Sequence, residues 1–230
     1  MQVFRDRRHA GQLLAERFDH YLGDPSLIVL ALPRGGVPVG YEIAARIGAP
    51  LDVLVVRKLG VPGYAELAMG AIASDGIRIV DRRVIDMLGI SREALDAVVA
   101  RERAELERRE RAFRAGRPRL DLAGKTAILV DDGLATGASM AAALDAVRTR
   151  EPARVIGAVP VAPPEVCEAL GDRADEMVCL VTPSRLHAVG IWYQDFTQTS
   201  DAEVRALLDA AASERQRAGR SGAEPAHSAR

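Results

Sequence analysis

The sequence predicts an α/β fold: an open, mainly parallel five-stranded sheet flanked by helices, with a helical insertion and a small hood. Two observations carry this expectation. Five short runs rich in Val, Ile and Leu recur along the chain: SLIVLAL at 26–32, LDVLVVRKL at 51–59, KTAILVD at 125–131, ARVIGAVPVA at 153–162 and EMVCLVT at 176–182. Continuous apolar runs of that length suit strands buried on both faces. Longer stretches at helical spacing lie between them, the alternation of parallel strands with crossover helices.

In chain order, a helix near 8–22 precedes the first strand, and VPVGYEIAARIG from 37 follows it, with Pro38 suited to a first helical turn. After the second strand comes a long interruption, 60–124. Its first part, GVPGYAELAMGAIASDG, is rich in Gly and Ala and is expected to be a mobile loop with one or two short strands. Its second part is expected to be a helix, with Leu95, Val99, Leu106 and Phe113 on one stripe and Glu105–Arg109, Glu107–Arg111 and Glu110–Arg114 as pairs four apart. ASMAAALDAVRTR from 138 and PEVCEALG from 164 supply the remaining crossovers, and a helix near 201–216 closes the fold. Residues 1–214 are thus expected to form a single domain with a hood at 183–200. The stretch 215–230 lacks periodic apolar residues and is expected to be disordered.

Composition narrows the partners. The chain has 230 residues, 48% of them hydrophobic, enough for one large core. With 31 basic and 32 acidic residues the formal charge is −1, so no overall field draws the chain to nucleic acid or to an anionic membrane. No apolar stretch approaches the length of a bilayer span, and the N-terminal segment carries charges where a signal peptide needs an apolar centre. A soluble, cytoplasmic protein is expected. Cys167 and Cys179 have no companion at metal-ligand spacing and are expected to be buried, reduced residues.

The stretch VDDGLATGAS, 130–139, carries the chemistry. Asp131 and Asp132 end a strand, and Ala135, Thr136, Gly137, Ala138 and Ser139 lead into a helix. A helix N-terminus with small residues and hydroxyls can wrap a phosphate through its free amides. Carboxylates beside it would repel phosphate, so they are expected to meet neutral donors such as the vicinal hydroxyls of a ribose, or a metal. One ligand with two ends, a sugar phosphate, satisfies both.

VDDGLATGAS resembles the phosphoribosyl-pyrophosphate (PRPP) signature of the type I phosphoribosyltransferases. The other strand ends agree. PRGG, with Arg34, Gly35 and Gly36, resembles the family's pyrophosphate loop, and the Arg57–Lys58 pair in VLVVRKLGVPG resembles adenine-type members, which place such a pair before a mobile catalytic loop. The resemblance implies transfer of a phosphoribosyl group to a nucleobase or related nitrogen acceptor with release of pyrophosphate. Asp131 and Asp132 would hold the ribose diol, directly or through Mg2+; residues 135–139 would hold the 5′-phosphate; Arg34, Gly35, Gly36, Arg57 and Lys58 would meet the pyrophosphate. Glu66 would act from the mobile loop, and Trp192, Tyr193 and Asp195 would contact the acceptor. Ala135 stands where 6-oxopurine enzymes carry an Asp, which argues against that branch. The resemblance also implies a homo-oligomer. The alternative is a PRPP-sensing regulator that binds nucleic acid through the helix at 101–119, which holds eight Arg and four Glu. The pairs four apart favour a solvated helix there, so no nucleic-acid partner is expected.

Overall fold

Strand β1 (Leu27–Ala31) is buried along its whole length in a computed structural model that describes residues 3–114 and 116–221. It lies between β2 (Leu51–Val53) and β6 (Thr126–Val130), and β7 (Arg154–Val161) and β8 (Glu176–Val181) complete a five-stranded sheet in the order β2-β1-β6-β7-β8. Every pairing in it is parallel, as the apolar runs predict. Side chains alternate between the two faces. Val29 of β1 packs with Ile128 and Ile156 under α1 (Arg7–Ala15) and α2 (Gly36–Ile47). Ile28 and Leu30 pack on the other face with Met140 and Leu144 of α5 (Ala138–Arg148) and Leu170 of α6 (Pro164–Gly171). Two helical layers thus sandwich the sheet, and its carboxyl edge is left for loops.

The interruption 60–124 differs from the expected mobile loop. The second apolar run splits after Val53: β3 (Val56–Val61) pairs with β4 (Tyr64–Ala73), and β4 with β5 (Arg78–Val80), in a separate antiparallel sheet. After a short helix α3 (Arg82–Met87), α4 (Arg92–Arg114) packs on that sheet. Leu95, Val99, Leu106 and Phe113 are all buried, and they join Leu59, Met69 and Ile72 of the small sheet and Val204 and Leu208 of the terminal helix α7 (Asp201–Ser221) in one cluster. The segment is therefore a packed subdomain. The helix and its buried stripe are as the sequence predicts, whereas the sheet was read as a loop because β4 alternates Ala and Gly with larger residues.

Three further features depart from the expectations. Helix α7 runs to Ser221, past the boundary drawn at 214, and the rest of the expected tail lies outside the described residues. Cys167 and Cys179 form a disulfide, because α6 folds back along β8 and brings their Cα atoms to 6.7 Å. The hood is built from both regions of the chain: the Phe4 amide donates to the Trp192 carbonyl (2.7 Å), and the Gln194 and Asp195 amides donate to the carbonyls of Phe4 and Arg5 (each 2.8 Å). Among the described residues no helix is long and apolar enough to cross a membrane.

Candidate functional site

Strands β1 and β6 are neighbours in register, Ala31 opposite Val130, so the loops that follow them must meet. They meet closely. A Cβ on Gly35 would lie 2.0 Å from Asp132 Oδ2, and one on Gly36 would lie 2.5 Å from the Val130 carbonyl oxygen. Both glycines are therefore required by the contact between the Pro-Arg-Gly-Gly loop and the acid pair. The Pro33–Arg34 peptide is cis. The Gly36 and Val37 amides donate within the loop, to Leu32 and Arg34 carbonyls, so the amides left to face a ligand are those of Arg34 and Gly35. The Arg34 guanidinium reaches Asp201 at 3.3 Å, both groups being partly exposed.

The acid pair is held from several sides. The Asp132 amide donates to Asp131 Oδ1 (2.9 Å). Arg7 of α1 donates from Nε to Asp132 Oδ2 (2.6 Å) and from Nη1 to the Thr197 carbonyl (2.8 Å), and its guanidinium lies 3.9 Å from the Phe196 ring centroid. The Tyr193 hydroxyl donates to the Asp132 main-chain oxygen (2.5 Å). Asp131 Oδ2 and Asp132 Oδ1 make no hydrogen bond to another described residue, so each acid keeps one oxygen for a ligand. Burial, and then the neighbouring Asp132 carboxylate, push the Asp131 carboxyl well above the ordinary range. Burial also raises Asp132, with Arg7 opposing it. Burial raises the Tyr193 phenol too, which keeps it a hydrogen-bond donor.

The loop after the acids has the geometry the motif predicts. The Leu134 amide donates to the Val161 carbonyl (2.9 Å) and its side chain is buried, which anchors the loop to β7. Gly137 caps α5 at φ +71°, a left-handed conformation suited to glycine, and a Cβ there would lie 2.7 Å from Val166 of α6. Ala135, Thr136 and Ser139 are exposed, Ala138 is half-buried, and no acidic residue stands in the first turn of α5. The positive end of that helix is open to an anion.

Other expected site residues are placed differently. Arg57 and Lys58 sit within β3 and not at the end of a core strand, so they point to opposite faces. Arg57 donates from Nε and Nη2 to Glu102 Oε2 of α4 (3.0 and 2.6 Å), which gives it a structural partner. Lys58 lines a groove of about 660 Å³ between the small sheet and α5, with Ala138, Arg82 and Arg83. The backbone of Glu66 lies in β4; its expected role in catalysis concerns a side chain outside the described residues. Trp192 and Tyr193 are buried among Phe4, Ala10 and Val161, which leaves neither a face on which an acceptor could stack. They pin the N-terminal arm instead, because Phe4 brings its own ring to Tyr193 (centroids 5.3 Å apart). Asp195 accepts from the Thr197 amide (2.9 Å). The residue that sequence reasoning missed is Arg7: nothing in FRDRRH marks one arginine of three as a partner for an aspartate 125 positions away.

The Arg-rich stretch 101–119, which α4 holds as far as Arg114, is laced with ion pairs. Arg101, Arg108, Arg109, Arg111, Arg114, Arg117 and Arg119 all pair with carboxylates.

An open parallel sheet gathers an acid pair, a glycine loop and a helix N-terminus at its carboxyl edge, where sheets of this kind carry their ligand sites. The family model described as the phosphoribosyl transferase domain matches residues 5–181, and the chain belongs to that family. The crystal structure of TT1426 from Thermus thermophilus is 45% identical with a TM-score of 0.81, covering 90% of this chain and 97% of that one. Two Mycobacterium tuberculosis relatives, named "Putative phosphoribosyl transferase Rv0571c" and "Putative phosphoribosyl transferase MT0597", are each 48% identical over 211 residues, 92% of this chain. The alignment covers 47% of each, so the chain spans about half the length of the curated relatives it matches.

Proposed function

We propose that the chain transfers the phosphoribosyl group of PRPP to a nucleobase or related nitrogen acceptor and releases pyrophosphate. The observation that carries this reading is the pair of free carboxylate oxygens, Asp131 Oδ2 and Asp132 Oδ1, one from each of two adjacent acids, next to a loop open to phosphate. Two acceptor oxygens on consecutive residues match the two hydroxyls of a ribose diol. The 5′-phosphate then falls to Ala135, Thr136, Gly137, Ala138 and Ser139, through amides and hydroxyls. The pyrophosphate falls to the Arg34 and Gly35 amides and to the Arg34 guanidinium, whose 3.3 Å link to Asp201 is long and solvated enough to be exchanged. Lys58 adds a cation from the small sheet.

In the reaction the bond from the anomeric carbon to pyrophosphate breaks and a bond to the acceptor nitrogen forms, through a transition state with oxocarbenium character. The acceptor's N–H proton passes to a base, a role Glu66 would fill from β4. The protein's share is positioning and charge complementarity. Mg2+ suits such a site, since that ion is held by one or two carboxylates together with ligand phosphates. Asp131 and Asp132 would hold it, and it would neutralise charge on the departing pyrophosphate.

The test is pyrophosphate release with PRPP, Mg2+ and a panel of bases and amines. Release with one acceptor class, lost in Asp131→Asn with Asp132→Asn while the fold persists, supports the proposal. Absence of release with every acceptor, together with no PRPP binding, refutes it.

A further inference from the structure

We propose that Arg7 is a positioning residue of the site: it fixes the Asp132 carboxylate so that one oxygen is presented to the ribose, which makes the N-terminal arm part of the transferase centre. The inference rests on the reading of the acids given above. Arg7 and Asp132 have side chains 11% and 15% exposed, against 35% and 41% for Arg34 and Asp201, the ion pair of the neighbouring loop.

The geometry restrains Asp132 on every side but one. Its Oδ2 accepts from Arg7 Nε at 2.6 Å and lies where a Cβ of Gly35 would sit, 2.0 Å away. The carboxylate is wedged between a guanidinium and a bare backbone, and Oδ1 is the oxygen left open. Tyr193 holds the main-chain oxygen of the same residue. Arg7 itself is held by three contacts of different kinds: Asp132, the Thr197 carbonyl, and the face of Phe196. A planar, forked cation can make all three at once, whereas an ammonium can satisfy only part of the set. Upstream, the Phe4 amide and carbonyl are tied to Trp192 and Gln194, so the helix carrying Arg7 enters in a set register. The arm contributes a functional group and does not merely cover the pocket.

The experiment is calorimetric titration of PRPP with Mg2+ into the full chain and into Arg7→Lys, Arg7→Met, Asp132→Asn and the Arg7→Met, Asp132→Asn double variant, with circular dichroism to verify folding. Loss of a charge-assisted restraint predicts that Arg7→Met weakens binding about 10- to 100-fold, with Arg7→Lys in between. Because Arg7 acts through Asp132, Arg7→Met adds no more than about twofold in the Asp132→Asn background. A merely structural role would give additive losses instead, and that result overturns the proposal. Unchanged or tighter binding by Arg7→Met also overturns it, tighter binding meaning that Arg7 competes with the ligand. If Asp132→Asn itself leaves affinity unchanged, the reading of the acids fails; if Asp132→Asn weakens binding and Arg7→Met does not, Arg7 alone is refuted. Should Arg7→Met not fold, Arg7→Lys carries the same comparison in both backgrounds.

Discussion

Replacing Gly35 with Ala tests whether the loop after β1 and the acid pair form one site. The new Cβ would sit 2.0 Å from Asp132 Oδ2, whereas ordinary contact begins near 3.4 Å, so about 1.4 Å must be taken up. The loop has little freedom to yield, since the Gly36 and Val37 amides are bonded within it and Gly36 abuts the Val130 carbonyl. Asp132 must move, and a shift of that size breaks its 2.6 Å bond to Arg7. Overpacking of this kind costs about 1–3 kcal/mol, which in a domain of this size lowers the melting temperature by roughly 2–12 °C. The larger effect falls on ligand binding: misplacing the Asp132 oxygen removes a charge-assisted hydrogen bond worth about 1.5–3 kcal/mol, or about 10- to 100-fold in PRPP affinity. Differential scanning calorimetry and titration of PRPP with Mg2+ measure the two effects separately. A Gly35→Ala protein with both stability and affinity unaltered would refute the contact and the argument built on it.

Asp131 supplies a second prediction. Its carboxyl is raised by burial, so the folded state holds a proton that the unfolded chain, with a value of 3.8, has already released. Stability from that group is present below about pH 4 and is lost as pH rises through the folded value. Asp131→Asn should therefore raise the melting temperature at pH 7, with the gain vanishing near pH 3.5, while PRPP affinity falls; a destabilised variant at pH 7 would contradict the burial argument. Glu102→Gln removes the charged acceptor of both Arg57 bonds and should cost about 1–3 kcal/mol in urea denaturation without weakening PRPP binding; a gain in affinity would place Arg57 in the pyrophosphate set. Cys167 and Cys179, 12 positions apart, should resist thiol reagents until reduced, and Cys167→Ala should lower stability by about 3 kcal/mol or less. Two thiols titrating in the unreduced, denatured protein would exclude the bond.

Much of the candidate site was legible because it is local. Asp131 to Ser139 are consecutive, and the change from apolar run to acids to glycine-bearing loop marks strand end, pocket and helix start without reference to the rest of the chain. The Pro-Arg-Gly-Gly loop was legible for the same reason, although its glycines prove to answer a contact with Asp132 and Val130 as well as any ligand. Arg57 misled because a cation at the end of an apolar run looks like a strand end. The run in fact divides between two sheets, and pleating turns Arg57 toward Glu102 and Lys58 toward α5. The aromatic cluster at 192–196 was legible as a cluster, but its composition could not reveal that Phe4 arrives to bury two of the three rings.

The sequence by itself determined the five-stranded parallel sheet, its crossover helices and the strand, loop and helix around 131–139, because hydrophobic period and helix-start chemistry act over neighbouring residues. Tertiary structure alone decided which arginine serves the acids, which oxygens stay free, that the two cysteines meet and that the strands of the insertion form a separate sheet packed on its helix. Those are contacts between segments up to 125 positions apart, and they are set by how layers pack and not by anything written within a turn or a strand.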